Sequence, residues 1–270
     1  MKKLKVGIVG CGAMGTRIAV ACGTTLAHAV ELAAVCDIDS AKVAALNGSL
    51  KKKARPLSLD GLIEEADLVV EASSASASGD IVEKCVKAKK GCLVMSVGGL
   101  LGREELLKAA AANGVRIYIP SGAVCGIDAL KAAAVGKITS VTLTTRKPPK
   151  GLEGAPYLVK NGIDVRAIKE ETVVFEGSAG EAVRGFPANV NVSAVLSLAG
   201  IGAERTKVRI VTSPDYTKNI HEVEITGDSG TITTRTENVP SAANPKTSAL
   251  AIYSAIATLE EIVKSVRIGT

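Results

Sequence analysis

The chain has 270 residues, 47% of them hydrophobic and 22% charged, and a formal net charge of +6. That length and apolar share build one large or two modest domains around a sizeable core, and they exclude an extended disordered chain. With no Trp, two Phe and four Tyr the core is aliphatic, and the stacking platforms that single-stranded nucleic acid requires are missing. The mild positive balance favours anionic small molecules, while the clusters Lys51–Lys53 and Lys87–Lys90 read as solvated faces. The six cysteines form no C-x-x-C pair and lie mostly in apolar runs, which predicts reduced thiols in a cytoplasmic protein. Two histidines leave no zinc-type spacing, so no metal site is expected. No run of about 18 uninterrupted apolar residues occurs, so no membrane span is expected. The basic start MKKLK runs straight into a glycine turn and is not read as a signal peptide.

The stretch KVGIVGCGAMG comes first and anchors the first domain. Val6, Ile8 and Val9 form a buried strand; Gly10, Gly12 and Gly15 succeed it with the spacing G-x-G-x-x-G; an apolar helix starts at Thr16. In that context Gly10 permits the tight turn, Gly12 lets a pyrophosphate approach the backbone, and Gly15 lets the helix pack on the strand. The helix N-terminus points N–H groups at the phosphates, which makes Ala13 and Met14 contacts as well. A second apolar run, Glu31 to Cys36, ends at Asp37, placed to hold the adenosine ribose hydroxyls. Helices at Asp39–Asn47, Leu59–Glu65, Gly79–Lys89 and Arg103–Asn113 then alternate with strands at Asp67–Glu71, Cys92–Val97 and Val115–Ile119. This alternation predicts a Rossmann-type, doubly wound parallel sheet of α/β class with ligands beyond the carboxyl ends of its strands. The small-residue loops there are Ser73–Ser78, Val97–Gly99 and Ser121–Gly126, and Ser73 is the cofactor contact expected in the first.

The pattern changes after Gly126. A helix over Ile127–Val135 precedes a long β-branched strand, Ile138–Arg146, and a break at Lys147–Gly151. Further strands are predicted at Thr172–Glu176, Lys207–Val211, Ile220–Thr226 and Thr231–Thr236, the last two joined by the hairpin signal G-D-S-G. Helices are predicted at Ala188–Leu198 and Thr247–Val263. The layout is a dinucleotide-binding domain over 1–122, a second α+β domain with a mixed or antiparallel sheet over 123–244, and a C-terminal helix in 245–270 that packs back on the first.

His221, at a strand start in KNIHEVEI, is the candidate for proton transfer; His28, away from the ligand edge, is read as structural. Strand alternation sends Glu222 to the face opposite His221. Asn189 and Asn191 in GFPANVNVSA stand where they cap a helix or bond a ligand carboxamide. Lys246, Thr247 and Ser248 at the start of the last helix make an anion-binding arrangement, and Arg146 and Lys147 close a strand with two cations for a carboxylate.

With these segments in view, the chain resembles the archaeal and bacterial L-aspartate dehydrogenases. The resemblance rests on GIVGCGAMG, IPSGAVCGIDAL, LTTRKPP, VFEGSAGEAVRGFPANVNVSA, NIHE and NPKTS, in that order and across almost the whole chain. It implies a pyridine-nucleotide domain followed by a catalytic, dimer-forming domain, hence a homodimer. It implies oxidation of L-aspartate to iminoaspartate, which hydrolyses to oxaloacetate and ammonia or supplies NAD biosynthesis. By motif, Ala123 and Asn191 match cofactor contacts and His221 matches the catalytic histidine. Lys246, Thr247 and Arg146 are the expected holders of the substrate carboxylates. Ile38 after the ribose-binding acid leans towards NAD over NADP. The alternatives are another two-domain reductase or a nucleotide-sensing protein without turnover. Against the first, the paired histidines of dihydrodipicolinate reductases are absent, and I-P-S-G stands where sugar and inositol dehydrogenases carry E-K-P. A sensing protein would need neither His221 nor NPKTS.

Overall fold

The computed structural model describes residues 2–187, 191–241 and 244–269; for 240, 241 and 244–247 it describes the backbone alone. The chain divides into two compact units, Met1–Pro120 with Ile252–Arg267, and Ser121–Ala251 with Ile268–Thr270.

The first unit runs β1 (Leu4–Val9), α1 (Ala13–Gly23), β2 (Val30–Cys36), α2 (Ser40–Gly48), β3 (Arg55–Pro56), α3 (Leu59–Glu65), β4 (Leu68–Glu71), α4 (Ala75–Lys87), β5 (Gly91–Val94), α5 (Glu104–Ala112) and β6 (Ile117–Tyr118). Its six strands pair in parallel in the order β3-β2-β1-β4-β5-β6. The order reverses between β1 and β4, which opens a ligand crevice at the carboxyl edge beside the β1–α1 turn. Val6, Ile8, Val70 and Leu93 are wholly buried, as expected of strands covered on both faces. Where the sequence predicts an Asp39–Asn47 helix with Ser40 near its cap, Asp39 is the cap and accepts from Ala41 N at 2.9 Å.

The second unit holds α6 (Ile127–Ala133), β7 (Ile138–Lys147), α7 (Pro156–Lys160), β8 (Thr172–Ser178), α8 (Ala179–Gly185), α9 (Asn191–Ala199), β9 (Thr206–Thr212), β10 (Asn219–Gly227), β11 (Gly230–Asn238), β12 (Pro240–Ser241) and β13 (Asn244–Ser248). Its five-stranded sheet has the order β11-β10-β7-β9-β8 and is mixed, since β7 and β9 are parallel and the other pairs antiparallel. The inward face packs Val141, Leu143, Val208, Ile210, Val223 and Ile225 with residues of α6–α9 into one core. Both phenylalanines of the chain stack with Tyr157 in that core, at centroid distances of 5.1–5.5 Å. The last helix, α10 (Ala249–Val263), buries Ala255 and Leu259 in the first unit's core. It starts two residues later than predicted, because β13 pairs antiparallel with β12.

Candidate active site

In the first unit the glycine turn is dictated by close approach. Gly10 has φ +100°, and a Cβ there would lie 2.4 Å from Ala72 O. A Cβ on Gly15 would lie 1.8 Å from Gly10 O, so only glycine lets α1 sit on the turn. A Cβ on Gly12 would meet nothing within 4 Å, and Gly12, as N-cap of α1, makes no side-chain cap. The open space and the first N–H groups of α1, beginning at Ala13 and Met14, together form a cradle of donors of the kind that suits an anion. Asp37, at the end of β2, is fixed beside that cradle. Its Oδ2 accepts from Cys11 N at 2.7 Å and its Oδ1 from Asp39 N at 2.9 Å. The next residue, Ile38, is fully exposed.

A residue that sequence reading passed over organises the neighbouring loops. Glu71, the wholly buried end of β4, accepts from Ser73 N (2.7 Å), Ser73 Oγ (2.8 Å) and Ser96 N (3.0 Å). It thereby ties the loops after β4 and β5 to one carboxylate. The signal available was an acid at the end of an apolar strand, DLVVE.

In the second unit the structure brings together Ala123 and His221. Thr236, opposite His221 in the β10–β11 register, donates its hydroxyl to Ala123 O at 3.0 Å and lies 3.5 Å from His221 O. Asn238 Nδ2 also donates to Ala123 O (2.9 Å), and its Oδ1 accepts from Ser248 Oγ (2.8 Å). His221 is 4% exposed, and its Nδ1 lies 3.0 Å from Thr145 Oγ1, directly across the β7–β10 pair. Burial foremost, and then the charge of Lys147, push the imidazole down to about 3, so it is neutral throughout the physiological range. Lys147 shares the inward face, 6% exposed, and burial pushes it down to about 8. Thr145, Lys147 and Ser193 of α9 line a cavity of about 10 Å³, room for one water at most. Asn191 heads α9 and is exposed.

Arg146 requires a correction. It lies on the opposite face of the sheet from His221, paired with Glu222 and, at 3.7 Å, with Glu171. Glu222 also pairs with Arg235. Arg146 is thus engaged on the outer face and does not join the His221 cluster. Lys246 and Thr247 lie on β13 rather than in the helix they were expected to begin, and their side chains are outside the described residues, as is Asn189. Ser248 Oγ accepts from Leu250 N at 3.2 Å and caps α10. His28 is exposed.

A parallel sheet in Rossmann order with a glycine cradle, followed by a mixed-sheet unit carrying a buried imidazole, defines a two-unit dinucleotide-dependent dehydrogenase. Residues 10–120 match the model of the homoserine dehydrogenase NAD-binding domain, and 128–262 match that of the aspartate dehydrogenase C-terminal domain. The L-aspartate dehydrogenase of Methanosarcina mazei is 48% identical over 99% of this chain and 100% of its own. That of Bradyrhizobium diazoefficiens is 44% identical over 99% and 95%. The crystal structure of aspartate dehydrogenase from Thermotoga maritima superposes with TM-score 0.76 at 26% identity, covering 99% of this chain and all of that one. The chain belongs to the aspartate dehydrogenase family. It is an oxidoreductase with a nicotinamide dinucleotide as cofactor.

Proposed function

We propose that this protein oxidises L-aspartate to iminoaspartate with NAD, and that His221 is its proton acceptor. The observation that carries the reading is a buried, neutral imidazole on an aliphatic sheet face, held through Nδ1 by Thr145. Full-length likeness to named L-aspartate dehydrogenases supports the substrate. Gly10, Gly12, Ala13, Met14 and Gly15 hold the pyrophosphate, Asp37 the ribose hydroxyls, and Ser73, Ala123 and Asn191 complete the cofactor contacts. The bound nicotinamide supplies a hydride acceptor for the substrate Cα hydrogen. In the reactive tautomer His221 Nδ1–H donates to Thr145 Oγ1, leaving the Nε2 lone pair to take a proton from the substrate ammonium. The free amine then releases its Cα hydride and becomes the iminium. The product hydrolyses to oxaloacetate and ammonia or feeds NAD biosynthesis in the cytoplasm.

NAD is the preferred cofactor in this reading, because the Asp37 carboxylate repels a 2′-phosphate and Ile38 offers it no cation. The reading includes a catalytic, dimer-forming second domain over 123–244 and a homodimer, tested by sedimentation. The central test is NADH formation, followed by absorbance, with L-aspartate beside a panel of other amino acids. His221→Ala is expected to lower kcat by about 10²-fold or more with cofactor affinity retained, and unchanged turnover removes the assignment. Asp37→Ala is expected to weaken NAD and improve NADP relative to it; an unaltered preference counts against the ribose contact.

A further inference from the structure

One buried carboxylate joins the loops at the carboxyl edge of the first unit's sheet. Glu71 ends β4 wholly buried, and a carboxylate taken out of water is costly unless donors replace the water. Its Oε1 accepts from Ser73 N at 2.7 Å and Ser73 Oγ at 2.8 Å, in the loop after β4, and its Oε2 accepts from Ser96 N at 3.0 Å, in the loop after β5. Both oxygens of a carboxylate only accept, so one side chain satisfies N–H groups from two loops at once; an amide of the same shape has one such oxygen. The two loops also meet each other and the glycine turn. Ser78 Oγ, buried, donates to Ser96 O at 2.8 Å, and a Cβ on Gly99 would lie 2.1 Å from Ala75 O. A Cβ on Gly10 would lie 2.7 Å from Ser73 N. Close packing brings the three loops together, and the carboxylate fixes the backbone course of two of them at Ser73 and Ser96.

We propose that Glu71 is a positioning residue for the nicotinamide half of the cofactor: it presets the loops after β4 and β5 that receive that half, and has no part in holding the other. This rests on the reading of Asp37 as the ribose contact and Ser73 as a cofactor contact. The strand order reverses between β1 and β4, with Asp37 beyond β2 on one side of the reversal and Glu71 at the end of β4 on the other. A dinucleotide that lies across the reversal with its adenosine ribose at Asp37 brings its nicotinamide riboside to the β4 and β5 side. Loops held in place before the ligand arrives need no ordering when it binds, which lowers the cost of binding that half alone. With the tie cut, a smaller fraction of molecules is competent to bind, and the apparent affinity falls by that fraction.

The test is binding to the full chain of NADH, read by its fluorescence, and of ADP, read by calorimetry. ADP carries the adenosine and the pyrophosphate and lacks the nicotinamide riboside. Glu71→Gln keeps the shape of the side chain and turns one accepting oxygen into a donor that faces an N–H group. It is expected to weaken NADH binding by about 5- to 100-fold and to leave ADP affinity within about twofold. In the cofactor-free wild type the Ser73 and Ser96 amides are expected to exchange slowly with deuterium. Exchange at the rate of an unprotected loop amide overturns the proposal even where the variant does not fold. A Glu71→Gln protein that binds NADH as the wild type does, or that loses NADH and ADP alike, overturns it too, while the dinucleotide reading stands. A wild type that binds NADH no more tightly than ADP removes both the proposal and the reading of Ser73 as a cofactor contact.

Discussion

Thr145→Val tests whether the hydroxyl on His221 sets the reactive tautomer. Valine matches threonine in shape, so the inward face of β7 stays filled. The hydroxyl is lost from a pair in which both residues are 4% exposed, so water does not readily replace it. Leaving Nδ1–H unpaired costs about 1–3 kcal/mol. The ring escapes this cost only by moving the proton to Nε2, which removes the lone pair the reaction needs. Either route lowers kcat by about 5- to 150-fold, while the KM for NAD stays near the wild-type value. Thr145→Ser keeps the oxygen and is expected to hold kcat within about threefold, at a stability cost of roughly 1 kcal/mol for the lost methyl. The assay is kcat and KM for L-aspartate in all three proteins, with urea midpoints to separate folding from catalysis. A Thr145→Val enzyme with kcat within twofold of wild type refutes the tautomer argument.

The geometry fixes three further outcomes. Gly15→Ala is expected to lower stability by about 1–3 kcal/mol in urea unfolding, since its Cβ would meet Gly10 O at 1.8 Å; Gly12→Ala, with nothing within 4 Å, is expected to fold as wild type and lose cofactor affinity alone. Arg146→Met removes outer-face ion pairs of partly exposed residues, so stability falls by no more than about 1 kcal/mol, and the KM for L-aspartate stays within about twofold; a larger rise returns Arg146 to the substrate site. His221 and Lys147 are both pushed down in the folded state, to about 3 and about 8. The unfolded chain binds more protons between about pH 3 and 6.5, and again between about 8 and 10.5, so stability rises with pH through both windows. Thermal midpoints of wild type and Lys147→Met should differ in slope chiefly in the upper window, and in the lower one only by the share of the His221 shift that the Lys147 charge causes.

The first unit was legible because its signals are local: the glycine spacing, the apolar strands and Asp37 lie within one β-α-β segment. The second unit was read less fully. The helix α8 went unread, although Ser178 and Glu181 form a reciprocal capping box at its start. The site was half legible, and the strand β7 shows why. Ile138, Val141 and Leu143 are all buried, yet Ile138 and Val141 differ in parity. Counted from Ile138, the inward residues are the even ones and Arg146 falls inside. The β7–β10 register shifts where Gly227 opposes Ile138 and Thr226 opposes Ser140, and beyond that irregularity the inward set is Val141, Leu143, Thr145 and Lys147. A Cβ on Gly227 would approach Lys137 O to 2.4 Å, so glycine is what admits the bulge. One inserted residue thus exchanges an arginine for a lysine beside the imidazole. A sequence shows that two cations close the strand, but which of them shares the face of the imidazole depends on a pairing made with a segment some 80 residues later in the chain.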